Sequence, residues 1–208
     1  MPSKPLAGVA LLIAALAFAA LAFAAPAEAH TFGAVGAGLF EGFFHPLAGL
    51  DHVLAMVAVG LWAAQQGGRA LWRIPATFVA ALVLGGGLAA AGVVLPGVEL
   101  GVAASVAVLG LVIALAARPS PVAGMALVGA FAVLHGQAHG MELPETAAPA
   151  LYALGFTLST ALLHGLGLAI GLVPRALGGR ALAVPLRLCG VVVAVTGVAL
   201  VSAAIAAA

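Results

Sequence analysis

The sequence predicts an all-α, polytopic membrane helix bundle, with six transmembrane helices after removal of a signal peptide and a broken or re-entrant segment ahead of the first. Three observations carry this. Of 208 residues, 65% are hydrophobic and 6% charged, where a soluble domain has roughly 25% charged residues. Apolar runs recur at about the 20-residue length that crosses a bilayer as a helix. The arginines fall at or beside the connections between those runs.

The first element is the N-terminal segment. Residues 1–29 carry Lys4, an apolar stretch from Leu6 to Ala25, and the ending Ala27, Glu28, Ala29 after Pro26. This ending reads as a signal-peptidase site, so residues 1–29 are expected to be a cleaved signal peptide and residues 30–208 a single transmembrane domain. An uncleaved helix is the alternative, because the apolar stretch exceeds the usual signal core of about 7 to 15 residues. Cleavage would leave His30 as a terminus whose amine and imidazole can chelate a metal; a solvated terminal histidine is the plainer reading.

The spans follow at residues 50–65, 75–95, 99–117, 121–140, 148–173 and 184–206. Arg69 and Arg73 follow the first, Arg118 the third, and Arg175, Arg180 and Arg187 surround the link from fifth to sixth. The other connections carry Glu99, Glu142 and Glu145 and no arginine. Basic connections stay cytoplasmic, which places both mature termini outside a bacterial-type inner (cytoplasmic) membrane in a multi-pass arrangement. A retained signal segment would add a seventh helix without changing this, since Lys4 would then be cytoplasmic.

From His30 to Gln65 the chain is too long for one straight span, since 36 helical residues rise about 54 Å against a core of about 30 Å. A break is expected over His45 to Gly49, where Pro46 removes a backbone donor and Gly49 loosens the chain. Residues 33–45 then form an interfacial or re-entrant helix. Such breaks are tolerated at membrane depth where they face protein or a wet cavity, and transporters use the freed backbone groups as ion ligands.

Ionisable residues are concentrated near this break. His45, Asp51 and His52 lie in HPLAGLDHVLAM, with Glu41 one turn before His45 and Met56 one turn after His52. A carboxylate beside two imidazoles suits a divalent transition metal; the alternative is that Asp51 and His52 satisfy the broken helix end. In LHGQAHGMEL, His135 and His139 are four apart and Glu142 seven from His135, so all three share one helical stripe. A histidine pair hydrogen-bonded at the membrane interface is the alternative there. His164 follows Thr160 by four and Thr157 by seven, giving an apolar helix one polar face. Alone this is weak, because a lone histidine more often bonds a threonine or a backbone carbonyl.

Both main clusters lie near the outward ends of their spans, so a shared site opening outward is geometrically available. Imidazole with carboxylate favours nickel, cobalt, zinc or copper over magnesium or calcium, and without a thiolate cluster soft copper(I) is disfavoured. The two strings resemble the HupE/UreJ family of hydrogenase and urease accessory membrane proteins. The family's H-x5-D-H motif maps onto His45, Asp51 and His52, and its HG-x-AHG-x-E motif onto His135, His139 and Glu142. Leu134 departs from the aromatic residue often found before the second motif. The resemblance implies a permease whose transported ion is Ni2+, with Co2+ or Zn2+ as alternatives and no permanently bound cofactor, serving a hydrogenase or urease.

Other classes are excluded or disfavoured. A net charge of +1 with scattered basic residues does not suit nucleic acid. Lys4 is the sole lysine, so the chain carries no ATPase motif of the Walker type, and Cys189 is the sole cysteine. No enzymatic activity is expected: Gly136 follows His135, so HExxH is missing. The rivals are a membrane haem-binding protein, in which Asp51 and Glu142 have no natural role as haem ligands, and an intramembrane metal-dependent redox protein, for which six histidines are few. The expected partners are a divalent ion and the lipid bilayer; oligomeric state does not follow from the sequence.

Overall fold

The computed structural model describes residues 34–144, 147–176 and 183–207. The signal segment, His30, Glu145 and Arg180 lie outside the described residues. Within them every regular element is an α-helix: α1 Ala34–Ala48, α2 Leu50–Gln66, α3 Ala70–Ala90, α4 Val98–Ala114, α5 Pro121–Met141, α6 Pro149–Ala176 and α7 Ala183–Ala207. Helices satisfy every interior peptide group locally, which is what a chain this apolar needs outside water.

Four helices, α3, α5, α6 and α7, are long and apolar enough to cross a membrane. The α1–α2 pair passes the same test jointly, bent by 84° at its break, the geometry of a broken span or a re-entrant loop. Helix α4 is apolar but has 17 residues, rising about 25 Å against a core of about 30 Å. Helix α3 begins five residues ahead of the expected start at residue 75, with Pro75 inside it rather than at its start. Past its end, Gly92 (φ 82°) and Gly97 (φ 70°) take the left-handed backbone that turns the chain into α4.

The break falls where Pro46 and Gly49 anticipate it. Gly49 is extended (φ −97°, ψ 117°) and α2 restarts at Leu50 with Asp51 in its first turn, where a carboxylate complements the helix dipole. Ser120 caps α5, its Oγ accepting from Ala123 N at 3.2 Å, with Pro121 following.

The bundle is built from close helix pairs: α3 with α5, α4 with α7, and α6 with both α1 and α2. Small residues permit this. A side chain at Gly136 would strike the carbonyl of Leu82, and one at Gly60 the carbonyl of His164, so α5 meets α3, and α2 meets α6, nearly backbone to backbone. Trp62, Met56, Phe78, Leu82 and Leu109 fill the centre.

One end of the bundle is held by side chains that satisfy the last carbonyls of α4. Trp62 Nε1 and Gln66 Nε2 donate to Ala117 O at 3.1 Å each, Gln65 Nε2 to Ile113 O at 3.2 Å, and Arg187 Nε to Ala114 O at 2.7 Å. Ala114 is the last residue of α4, and Ala117 lies in the connection that follows it. The same contacts gather Arg118 and Arg187 with the ends of α2 and α4, whereas Glu142 closes α5 at the opposite end.

A histidine-lined candidate metal site

The helix break and the end of α5 converge. His45, from the last turn of α1, donates from Nε2 to Glu142 Oε2 at 2.7 Å. One ligand atom each from His45, His139 and Glu142 lie within 4.8 Å of one another, close enough for one small cation to bridge them. Deeper in, the His52 ring is 4.6 Å from that of His139 and 4.8 Å from that of His135. The two motifs, separated by some eighty residues of sequence, thus form one continuous cluster. Exposure falls along it, from 58% for the Glu142 side chain and 33% for His45 to full burial at His135 and His139.

Hydrogen bonding sets which imidazole nitrogens are free. Asp51 Oδ1 accepts from His52 N at 2.8 Å and from His52 Nδ1 at 2.7 Å. A carboxylate can only accept, so Nδ1 carries the hydrogen and Nε2 presents its lone pair. His52 Nε2 is buried and has no hydrogen-bond partner among the described residues. This is the carboxylate–imidazole arrangement that orients histidine ligands toward metals. At His135, Ser105 performs a comparable task from α4. Its hydroxyl donates to Val102 O at 2.6 Å, so its oxygen accepts from His135 Nε2 at 2.9 Å. Nδ1 is then the free nitrogen, and it too is buried without a partner among the described residues. Both nitrogens of His139 share that condition, and its ring stacks on Phe156 at 5.0 Å and 16°. Buried polar atoms are nearly always satisfied, so several unsatisfied atoms in one cluster call for a ligand.

Asp51 and His52 therefore do more than close a helix end: the N-cap position is held by Gly49, and the Asp51 carboxylate is turned to His52. A side chain at Gly49 would come within 2.9 Å of Asp51 Oδ1 and 3.0 Å of His52 Nδ1. The residues named as secondary from the sequence separate. Glu41 has a buried Oε2 without a partner among the described residues. Met56 is fully buried in the apolar core. Thr160 and His164 are buried on α6, beside Phe78, whose ring lies 5.0 Å from His164 and 5.7 Å from His135.

Sequence reasoning missed four contributors. Ser105 is one hydroxyl in an apolar helix, with no periodic signal. Tyr152 and Phe156, one turn apart on α6, form the aromatic wall facing His45 and His139. Gln137 accepts from Leu95 N at 3.1 Å and donates to Gly85 O and Val93 O at 3.2 and 2.9 Å, pinning the α3–α4 turn beside the cluster. It sits at a variable position of the second motif, and its one sequence signal is an amide side chain in an apolar run.

The family model described as HupE / UreJ protein matches residues 14–200. The chain belongs to the HupE/UreJ family. Protein HupE from Rhizobium leguminosarum bv. viciae is 42% identical over 177 residues, covering 84% of this chain and 91% of that protein. No solved structure matches the chain.

Proposed function

We propose that this HupE/UreJ protein is a membrane permease for a divalent transition-metal ion, with nickel, imported for hydrogenase or urease maturation, as the cargo. The observation that carries this reading is the convergence of His45, His139 and Glu142 ligand atoms within 4.8 Å, continued inward by the unpartnered nitrogens of His52 and His135. Exposed Glu142 and His45 meet the hydrated ion. His139 and His52 then replace part of its water with imidazole nitrogen, the ligand type such ions prefer. Asp51 offsets the positive charge and holds His52 in the ligating tautomer. Acids and histidines at membrane depth mark ion pathways as a rule.

In the membrane the bundle is six spans, with the α1–α2 pair and the short α4 counted among them and residues 1–29 removed as a signal peptide. The arginine-bearing end faces the cytoplasm, and the Glu142 end, with both mature termini, faces outward. The ion thus enters from outside.

The test is radioactive nickel uptake in cells expressing wild-type protein, Asp51→Ala or His52→Ala at equal membrane abundance. Uptake by the wild type, with both variants at background, is expected. Uptake unchanged by both substitutions overturns the assigned site, and a Soret band in the purified protein would favour haem binding instead.

A further inference from the structure

Beside Phe78 the polar path resumes. His164, on α6, is 2% exposed, and neither ring nitrogen has a hydrogen-bond partner among the described residues. Thr160, one turn earlier on the same helix face, has a buried hydroxyl in the same condition. Phe78 touches both this pair and the first cluster, its ring lying 5.7 Å from that of His135 and, edge to face, 5.0 Å from that of His164. His164 is the one polar residue lining an otherwise apolar surface groove of about 600 Å³ between α3 and α6.

Depth orders these features. His139 is two residues from the end of α5 that bears Glu142. His164 lies about 22 Å along α6 from Pro149, at 1.5 Å per residue, and the groove reaches Pro75, in the part of α3 that follows Arg69 and Arg73. The second polar spot therefore lies on the route from the first cluster to the arginine end. Its position is fixed rather than incidental, since Gly60 lets α2 press against the backbone carbonyl of His164.

We propose that His164, with Thr160, is a second and weaker binding station for the transported divalent cation, one aromatic ring, that of Phe78, from His135 of the first cluster. The station rests on the permease reading above. One imidazole and one hydroxyl make a poorer ligand set than four imidazoles and two carboxylates, with water filling the remaining positions. A weak inner station following a tight outer one is what conduction requires, because an ion must be able to leave.

The experiment is titration of the purified full-length chain in detergent with Co2+ to millimolar levels, followed by the ligand-field absorption of the bound ion. It is run on the wild type, His164→Gln and His139→Ala, each checked for an intact thermal melt. Two classes of site are expected in the wild type, with His164→Gln losing the weaker and retaining the tighter. Nickel uptake by His164→Gln is expected to fall about tenfold or more, the scale on which metal-site substitutions act. His164→Ala, which removes the polar head altogether, should match His164→Gln. A single class of site in the wild type, or two classes retained in folded His164→Gln, overturns the inner station and leaves the permease standing. No cobalt bound by the wild type, with no nickel uptake, overturns both.

Discussion

Gly49→Ala separates the metal site from the fold. The backbone at Gly49 (φ −97°, ψ 117°) lies in the ordinary extended region, which alanine adopts without strain. Replacing glycine at such a position stabilises by about 0.4–1 kcal/mol through the unfolded chain. The new methyl, however, would lie 2.9 Å from Asp51 Oδ1 and 3.0 Å from His52 Nδ1, where ordinary contact begins at 3.4 Å. Both side chains must therefore retreat by about half an ångström, more than the roughly 0.2 Å that a metal–ligand distance tolerates. The expected result is a melting temperature equal to or slightly above that of the wild type, with nickel affinity weaker by about 10–100-fold, as for other changes to groups that orient ligands. Calorimetric titration and thermal melting of the same preparation measure both. Wild-type affinity in a normally folded Gly49→Ala protein would refute the role given to the Asp51–His52 pair.

Gly136→Ala should do the opposite, damaging fold and site together. Its methyl would meet Gly86 N at 2.7 Å and the Leu82 carbonyl, forcing α3 and α5 apart at a cost of about 1–3 kcal/mol, read as a lower melting temperature. Gln137→Leu strands Leu95 N and the carbonyl of Val93, each orphaned group costing about 1–3 kcal/mol where it stays buried; faster hydrogen exchange at the Leu95 amide is the sensitive readout. Glu142→Ala removes a partly exposed pair with His45, worth at most about 1 kcal/mol, so the melting temperature should hold while metal affinity falls.

Much of the fold was legible in the sequence because lipid imposes simple rules. Apolar length marks helices, and Pro46 with Gly49 marks the break. Span ends were less legible: Pro75 reads as a boundary yet is tolerated inside the first turns of α3, and α4 stops at Ala114, ahead of the expected residue 117, where side chains from α2 and α7 take over its last carbonyls. The His135–His139–Glu142 stripe followed from helical periodicity alone. That it meets His45 and His52 is tertiary, since the α1–α2 bend of 84° swings the first motif against the second. Ser105 and Phe156 contribute through such packing, and no spacing in their own helices announces it. Met56 shows the converse, because one helical turn from His52 sufficed to nominate it, whereas the structure buries it in the core.

The central claim is that the joined motifs carry a divalent metal ion across a membrane, and purified protein in sealed liposomes tests it with nothing else present. Nickel added outside would be followed by a trapped metal-sensitive dye, with and without an imposed pH gradient. Wild-type protein is expected to admit nickel well above empty liposomes under at least one condition, with His139→Ala at the empty-liposome level. No influx with folded wild-type protein, or equal influx with His139→Ala, would contradict it.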